Sequence, residues 1–144
     1  MLIPEGLVRG QIGEGKVYRF YDTIPEGSDV VPNHFHVCFK LNKEIVYLLC
    51  CTTKNKTIDD YIRVNHLDPK TKVHIAPTPV NGLKEDTYLN CNNTLSCDFE
   101  DLVKAISDGS VTYSGEIETD EYQNIKIGIL SSAVVPQAVK ELLL

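Results

Sequence analysis

The 144-residue sequence predicts a mainly β domain with appended helices, either an all-β barrel or an α+β fold. Three observations carry that reading. Short runs of β-branched and aromatic residues, several alternating with period two, fill the first two-thirds of the chain. Helical patterns bounded by capping residues fill most of the last third. No repeat, low-complexity segment or linker divides the chain, so residues 1–144 read as one domain, within the usual size of about 100–150 residues.

Residues 1–15 are punctuated by Gly and Pro and read as irregular, and residues 16–21 read as a first strand. Residues 22–32 hold two prolines, a glycine and several acidic side chains. A loop of that length exceeds the usual median of about 4–6 residues and is a candidate flap. A hairpin follows, with strands at 34–41 and 44–53 and a turn at Asn42-Lys43. In its first strand Phe35, Val37, Phe39 and Leu41 share one face, while His34, His36, Cys38 and Lys40 share the other. Its second strand is almost wholly apolar, which predicts a central strand covered on both faces.

Residues 54–57 form a polar, cationic loop, and 59–64 fit a short strand or a turn of helix equally well. Residues 72–76 read as a strand stopped by Pro77-Thr78-Pro79, because proline donates nothing to a ladder. Asn81-Gly82 is a turn signal. Residues 87–91 form another strand, extended or followed by 94–97. Asp98 caps a helix through Leu102, Val103 and Ile106 that ends at Gly109. Residues 111–117 match neither period clearly. Thr119 caps a second helix with Tyr122, Ile125, Ile129 and Leu130 inward, weakened by Gly128. Pro136 opens a last helix that turns Val139, Leu142 and Leu143 inward.

A net charge of −6 argues against a broad nucleic-acid coat protein but leaves room for a small basic site. No apolar run approaches the roughly 20 residues of a membrane span, so no membrane association is expected. The first residues lack a basic segment followed by a long apolar one, which predicts a cytoplasmic protein. The five cysteines are expected as reduced, partly buried thiols. Cys91 and Cys97 are too far apart for a zinc-binding pair, and no cofactor is implied.

The concentrated chemistry is His34-x-His36, two imidazoles about 6–7 Å apart on one strand face. Such a pair fits acid–base work or phosphate contact, a metal site with further ligands, or a solvated strand face. Thr52-Thr53-Lys54 closes the partner strand with hydroxyls and a cation. Antiparallel pairing sets His34 and Thr52-Thr53 at the same end of the hairpin, away from its turn. The candidate catalytic residues are therefore His34, His36 and Thr53, with Asn33, Thr52 and Lys54 as substrate contacts and no metal ligands. No Gly-rich phosphate loop, Gly-x-Ser-x-Gly or His-Glu-x-x-His motif is present.

The succession of strand, long loop, hairpin ending in Thr, Thr87-Tyr88-Leu89-Asn90-Cys91 strand and helix start Phe99-Glu100-Asp101-Leu102 is similar to the MazF/PemK-like toxin endoribonucleases. The run Ile125-Lys126-Ile127-Gly128-Ile129-Leu130-Ser131-Ser132 adds to the likeness, which covers about residues 14–134. The resemblance implies an SH3-like barrel that cleaves single-stranded RNA without a metal, within a toxin–antitoxin or phage-defence system. It also implies a homodimer and an antitoxin protein partner. The family's Arg-Pro is replaced here by Asn33-His34-Phe35, which gives the arginine's place to His34, while Thr53 keeps the family's Thr or Ser. The alternative is a catalytically silent barrel that binds a protein partner or nucleic acid.

Overall fold

In the computed structural model, which describes residues 3–22 and 28–144, the two apolar runs pair as an antiparallel hairpin. Its strands are β2 (His34–Asn42) and β3 (Ile45–Thr52). The turn is Lys43-Glu44, one residue later than expected, with Lys43 in the left-handed region at φ 57°. Around the hairpin lie β1 (Lys16–Phe20), β4 (Lys72–Ile75), β5 (Thr87–Asp98) and β6 (Val111–Glu116). They form one six-stranded sheet in the order β4-β5-β3-β2-β1-β6, every pair antiparallel. The helices are α1 (Glu5–Arg9), α2 (Asn55–Val64), α3 (Phe99–Asp108), α4 (Thr119–Ser131) and α5 (Gln137–Glu141). The protein is thus a single α+β domain, and its sheet is open, with β4 and β6 as edges. No helix among the described residues is long and apolar enough to cross a membrane.

Both faces of the sheet are buried. On the first, Tyr18, Phe20, Cys38 and Leu48 pack with Val8 of α1 and Leu102 and Ile106 of α3. On the second, Val17, Val37, Phe39, Leu49 and Cys51 pack with Ile125 and Ile129 of α4 and with Leu143. β3 is central and covered on both sides, as its apolar run predicts. Each fully buried aliphatic or aromatic side chain contributes about 1.5–3 kcal/mol relative to exposure.

Strand β2 departs from its expected two-faced pattern. Cys38 is buried among the apolar residues of the first face, because helices and loops cover that face too. A register shift between Cys38 and Lys40 then inserts an extra residue. Leu41 therefore packs on the first face rather than beside Phe39. Elsewhere α1 lies in a stretch expected to be irregular, and residues 59–64 belong to the helix α2. β5 is one twelve-residue strand, and the ambiguous 111–117 stretch contains β6. α3 begins and ends as read: Asp98 accepts from the Asp101 N–H at 3.1 Å, and Gly109 is left-handed at φ 89°. α4 starts one residue earlier than expected, with Glu118 as N-cap in a capping box with Glu121. Leu130, expected inward, lies on the exposed side of α4.

Gly128 has a packing reason. A Cβ there would stand 2.8 Å from Cys91 Sγ and 2.9 Å from the Lys70 carbonyl oxygen, so its absence lets α4 sit close on β5 and the turn before β4.

The connection between β4 and β5 crosses to the opposite edge of the sheet. The Glu116 N–H donates to the Val80 carbonyl at 3.1 Å, and Ser114 Oγ donates to the Asn81 carbonyl at 3.0 Å. The buried Asn81 side chain shapes that connection. It accepts from the Thr78 and Leu83 N–H groups at 3.1 and 2.9 Å and donates to the Ala76 carbonyl at 2.9 Å. Because a segment leaving one edge bonds to the other, the sheet must curl. Gly115 permits the approach: it sits at φ 148°, and a Cβ on it would lie 1.9 Å from the Val80 oxygen.

Two outcomes are expected. Gly115→Ala should lower the unfolding free energy by at least about 1–3 kcal/mol, the cost of a strained backbone conformation, measured by urea denaturation. The native protein should resist thiol alkylation and release all five thiols only on unfolding, because burial raises the pKa of every one of them.

Candidate functional site

At the end of the hairpin opposite its turn, the curl encloses a cleft of about 730 Å³. The start of β2, the end of β3, the end of β1, the first half of β6 and residues 82–85 of the β4–β5 connection form its walls. Asn33, His34, Thr52, Thr53 and Lys54 all line it, so five of the six residues singled out in the sequence meet there.

Strand pairing builds the wall around His34. β1 and β2 set Phe20 opposite His34 on one face and Arg19 opposite Phe35 on the other, so His34 and Arg19 reach the cleft around the end of the sheet. Arg19 Nη1 donates to the Asn33 carbonyl at 2.9 Å. Its guanidinium lies 5.1 Å from the Phe35 ring centre and 5.7 Å from that of Tyr21, within cation–π range. Asn33 holds φ 60°, a conformation asparagine tolerates. His34 Nδ1 lies 2.8 Å from the Pro32 carbonyl, which can only accept. Nδ1 therefore carries the hydrogen, and Nε2 is the proton-accepting nitrogen of the neutral ring.

The opposite wall is a strand running into a helix. Thr52 Oγ1 accepts from the Lys54 N–H at 3.1 Å, and α2 begins at Asn55 with Lys54 as its N-cap. No side chain caps that helix and no acidic residue occupies its first turn, and the Asn55 and Thr57 N–H groups donate to the Thr53 and Lys54 carbonyls at 3.1 Å each. Among the described residues, Arg19, Lys54 and Lys84 line the cleft against one carboxylate, Glu85. In a chain of net charge −6 this is a local excess of positive charge.

His36 is elsewhere. It is fully buried on the first face, its ring centre 4.5 Å from that of Phe20. Nε2 accepts from the Val31 N–H at 3.2 Å, and Nδ1 donates to the His34 carbonyl at 3.3 Å. Burial pushes its pKa down to about 4, so the ring is neutral at pH 7. The strand face that carries both histidines thus meets the cleft at His34 and the core at His36, so His36, singled out with His34 as a catalytic candidate, does not line the cleft. The ring of His36 ties together the backbone bend from Val31 to His34.

Part of the expected flap, residues 23–27, lies outside the described residues. None of residues 28–32 lines the cleft, and Asp29 instead accepts from the Ser96 N–H at 2.9 Å.

Arg19, Tyr21, Phe35 and Lys84 were not legible as site residues in the sequence. The available signal was Arg19 itself, a cation within an aromatic strand whose neighbours Tyr18 and Phe20 point to the other face. Lys84 arrives only through the crossing of the β4–β5 connection. Among the described residues no group of three or more His, Cys, Asp and Glu side chains converges as a metal site would require.

The chain matches no protein-family model and no curated protein sequence, so its function is read from the cleft.

The lowered pKa of His36 predicts a pH dependence of stability. Its folded pKa lies below the ordinary 6.5, so its contribution is present above pH 6.5 and is lost as pH falls towards about 4. The loss is about 3 kcal/mol by the usual 1.36 kcal/mol per unit. The difference in urea-unfolding free energy between pH 7 and pH 4 should shrink by that order in His36→Gln.

Proposed function

We propose that the chain is a metal-independent endoribonuclease acting on single-stranded RNA, with the cleft as its active site. The observation that supports this best is the gathering of His34, Thr53 and three cations in one cleft of an acidic protein. A phosphodiester passing through a pentacoordinate transition state needs fixed positive charge and donors around its oxygens. Arg19 and Lys54 supply the charge, and the Thr53 hydroxyl supplies a donor. The 2′-hydroxyl attacks the adjacent phosphorus, and the bond to the 5′-oxygen breaks. The products are a 2′,3′-cyclic phosphate and a 5′-hydroxyl. His34 Nε2 takes the proton of the attacking hydroxyl, and the leaving oxygen gains one from solvent or from the imidazolium so formed. His36 acts on this chemistry only by holding the bend that carries His34. Asn33 contributes its carbonyl as the anchor of Arg19, and Thr52 shapes the turn into α2.

The same reading treats the curled sheet as an SH3-like barrel opened between β4 and β6, with the β4–β5 connection bridging the gap. It carries a cytoplasmic location, in keeping with five free thiols, and it carries a homodimer neutralised by an antitoxin protein, within a toxin–antitoxin or phage-defence system.

A second reading is a barrel that binds single-stranded RNA or a protein partner without cutting. The withdrawal of His36 favours it, because one imidazole remains in the cleft where acid and base roles are both required.

Incubation with a long single-stranded RNA in EDTA separates the two. Cleavage to cyclic-phosphate ends that falls by about 10²-fold or more in His34→Ala, and by a similar factor in Arg19→Ala or Thr53→Ala, is the expected result. Intact RNA at every pH, together with gel-shift binding abolished by Arg19→Ala, would leave the binding reading in its place.

A further inference from the structure

At the rim of the cleft, three residues stand side by side in one cross-strand row. Thr52 of β3 pairs with Tyr88 of β5, and Tyr88 pairs with His74 of the edge strand β4. Two interstrand steps make the row about 10 Å long. It begins in the cleft, which Thr52 lines, and runs outward over the edge of the sheet.

Two rings of this row form a stack. The His74 and Tyr88 ring centres are 5.0 Å apart and their planes differ by 20°. Lys72 Nζ lies 5.6 Å from the Tyr88 ring centre. That lysine is itself held, 2.7 Å from Asp59 Oδ1 and 2.7 Å from Asn55 Oδ1. His74 Nε2 donates to Asp86 Oδ1 at 2.8 Å. Asp86 lies between Glu85 and Thr87, both of which line the cleft. The imidazole is therefore fixed in orientation although its side chain is 50% exposed. Neither His74 nor Tyr88 belongs to either apolar cluster, so packing of the core does not require the stack.

A flat aromatic surface, held by a carboxylate, open to solvent and continuous with a cationic cleft, suits one chemistry above others. Nucleobases stack on such surfaces with little regard to sequence, because every base has a π face. We propose that the exposed face of His74, backed by Tyr88, is a second nucleotide subsite that stacks the base next to the phosphate held in the cleft. The RNA then runs from the cleft over Thr52 to the β4 edge. Asp86 is a positioning residue that keeps the imidazole flat against Tyr88. This subsite rests on the reading of the cleft as an RNA site and adds the direction in which the strand leaves it.

Fluorescence-anisotropy binding tests it with two probes, adenosine 5′-monophosphate and a 2′-O-methyl oligoadenylate hexamer, which lacks the attacking hydroxyl and stays intact. His74→Ala should weaken the hexamer about tenfold, the effect of one stacked base, and leave the mononucleotide unchanged. His74→Phe should restore hexamer binding, since it keeps a stacking ring, and Arg19→Ala should weaken both probes. Equal hexamer affinity in wild type and His74→Ala overturns the subsite while the cleft reading stands. Hexamer binding as weak in His74→Phe as in His74→Ala overturns stacking as its basis. Failure of the wild-type protein to bind either probe overturns the RNA reading of the cleft, and the subsite with it.

Discussion

The hydrogen bond from the Glu116 amide to the Val80 carbonyl closes a gap that the sheet leaves open. Six antiparallel strands in the order β4-β5-β3-β2-β1-β6 have two free edges, and a flat sheet would hold them far apart. The crossing of the β4–β5 connection onto β6 bends the sheet until the strand ends face one another. Residues 82–85 then become a wall opposite His34 and Arg19. The contact needs a position without a Cβ at 115 and a buried asparagine at 81 to satisfy the backbone of the connection.

The curl also concentrates charge. Acidic residues outnumber basic ones by 20 to 14 in the chain, yet Arg19, Lys54 and Lys84 come from three separate parts of it to one cavity. A concave site lined by one sign of charge focuses its field on an anionic ligand even when the net charge is of the opposite sign. Arg19 is further held by a carbonyl and two aromatic rings, which limits the orientations its guanidinium can take. A fixed cation costs less reorganisation when charge develops on a bound phosphate.

The two histidines of one strand show how environment divides roles between identical side chains. They are two residues apart and share a face. His34 stands at the mouth of the cleft, with its Nδ1 hydrogen engaged by the Pro32 carbonyl. His36 stands one pleat further in, where desolvation keeps it neutral and both nitrogens serve the backbone. The alternation of polar and apolar residues along β2 cannot distinguish them. Alternation reports which side a residue points to, whereas burial depends on what covers that side. The five cysteines make the same point, since all are free and none titrates near neutrality.

Local pattern determined the elements whose signals are themselves local. The hairpin, the central position of β3, the caps at Asp98 and Gly109 and the meeting of His34 with Thr52 and Thr53 at one end follow from period and pairing between near neighbours. β6 was less legible: Gly115 interrupts its pattern, because that residue serves a contact with Val80 made thirty-five positions away in sequence. The helix α1 and the burial of His36 and Cys38 depend on a second covered face of the sheet, which no single strand records. Only the tertiary structure decided that Arg19 and Lys84 belong with His34, and that Tyr88 and His74 stack beside them. Those neighbours arise from strand order and from one loop crossing the sheet, and both are long-range contacts that a chain read residue by residue does not contain.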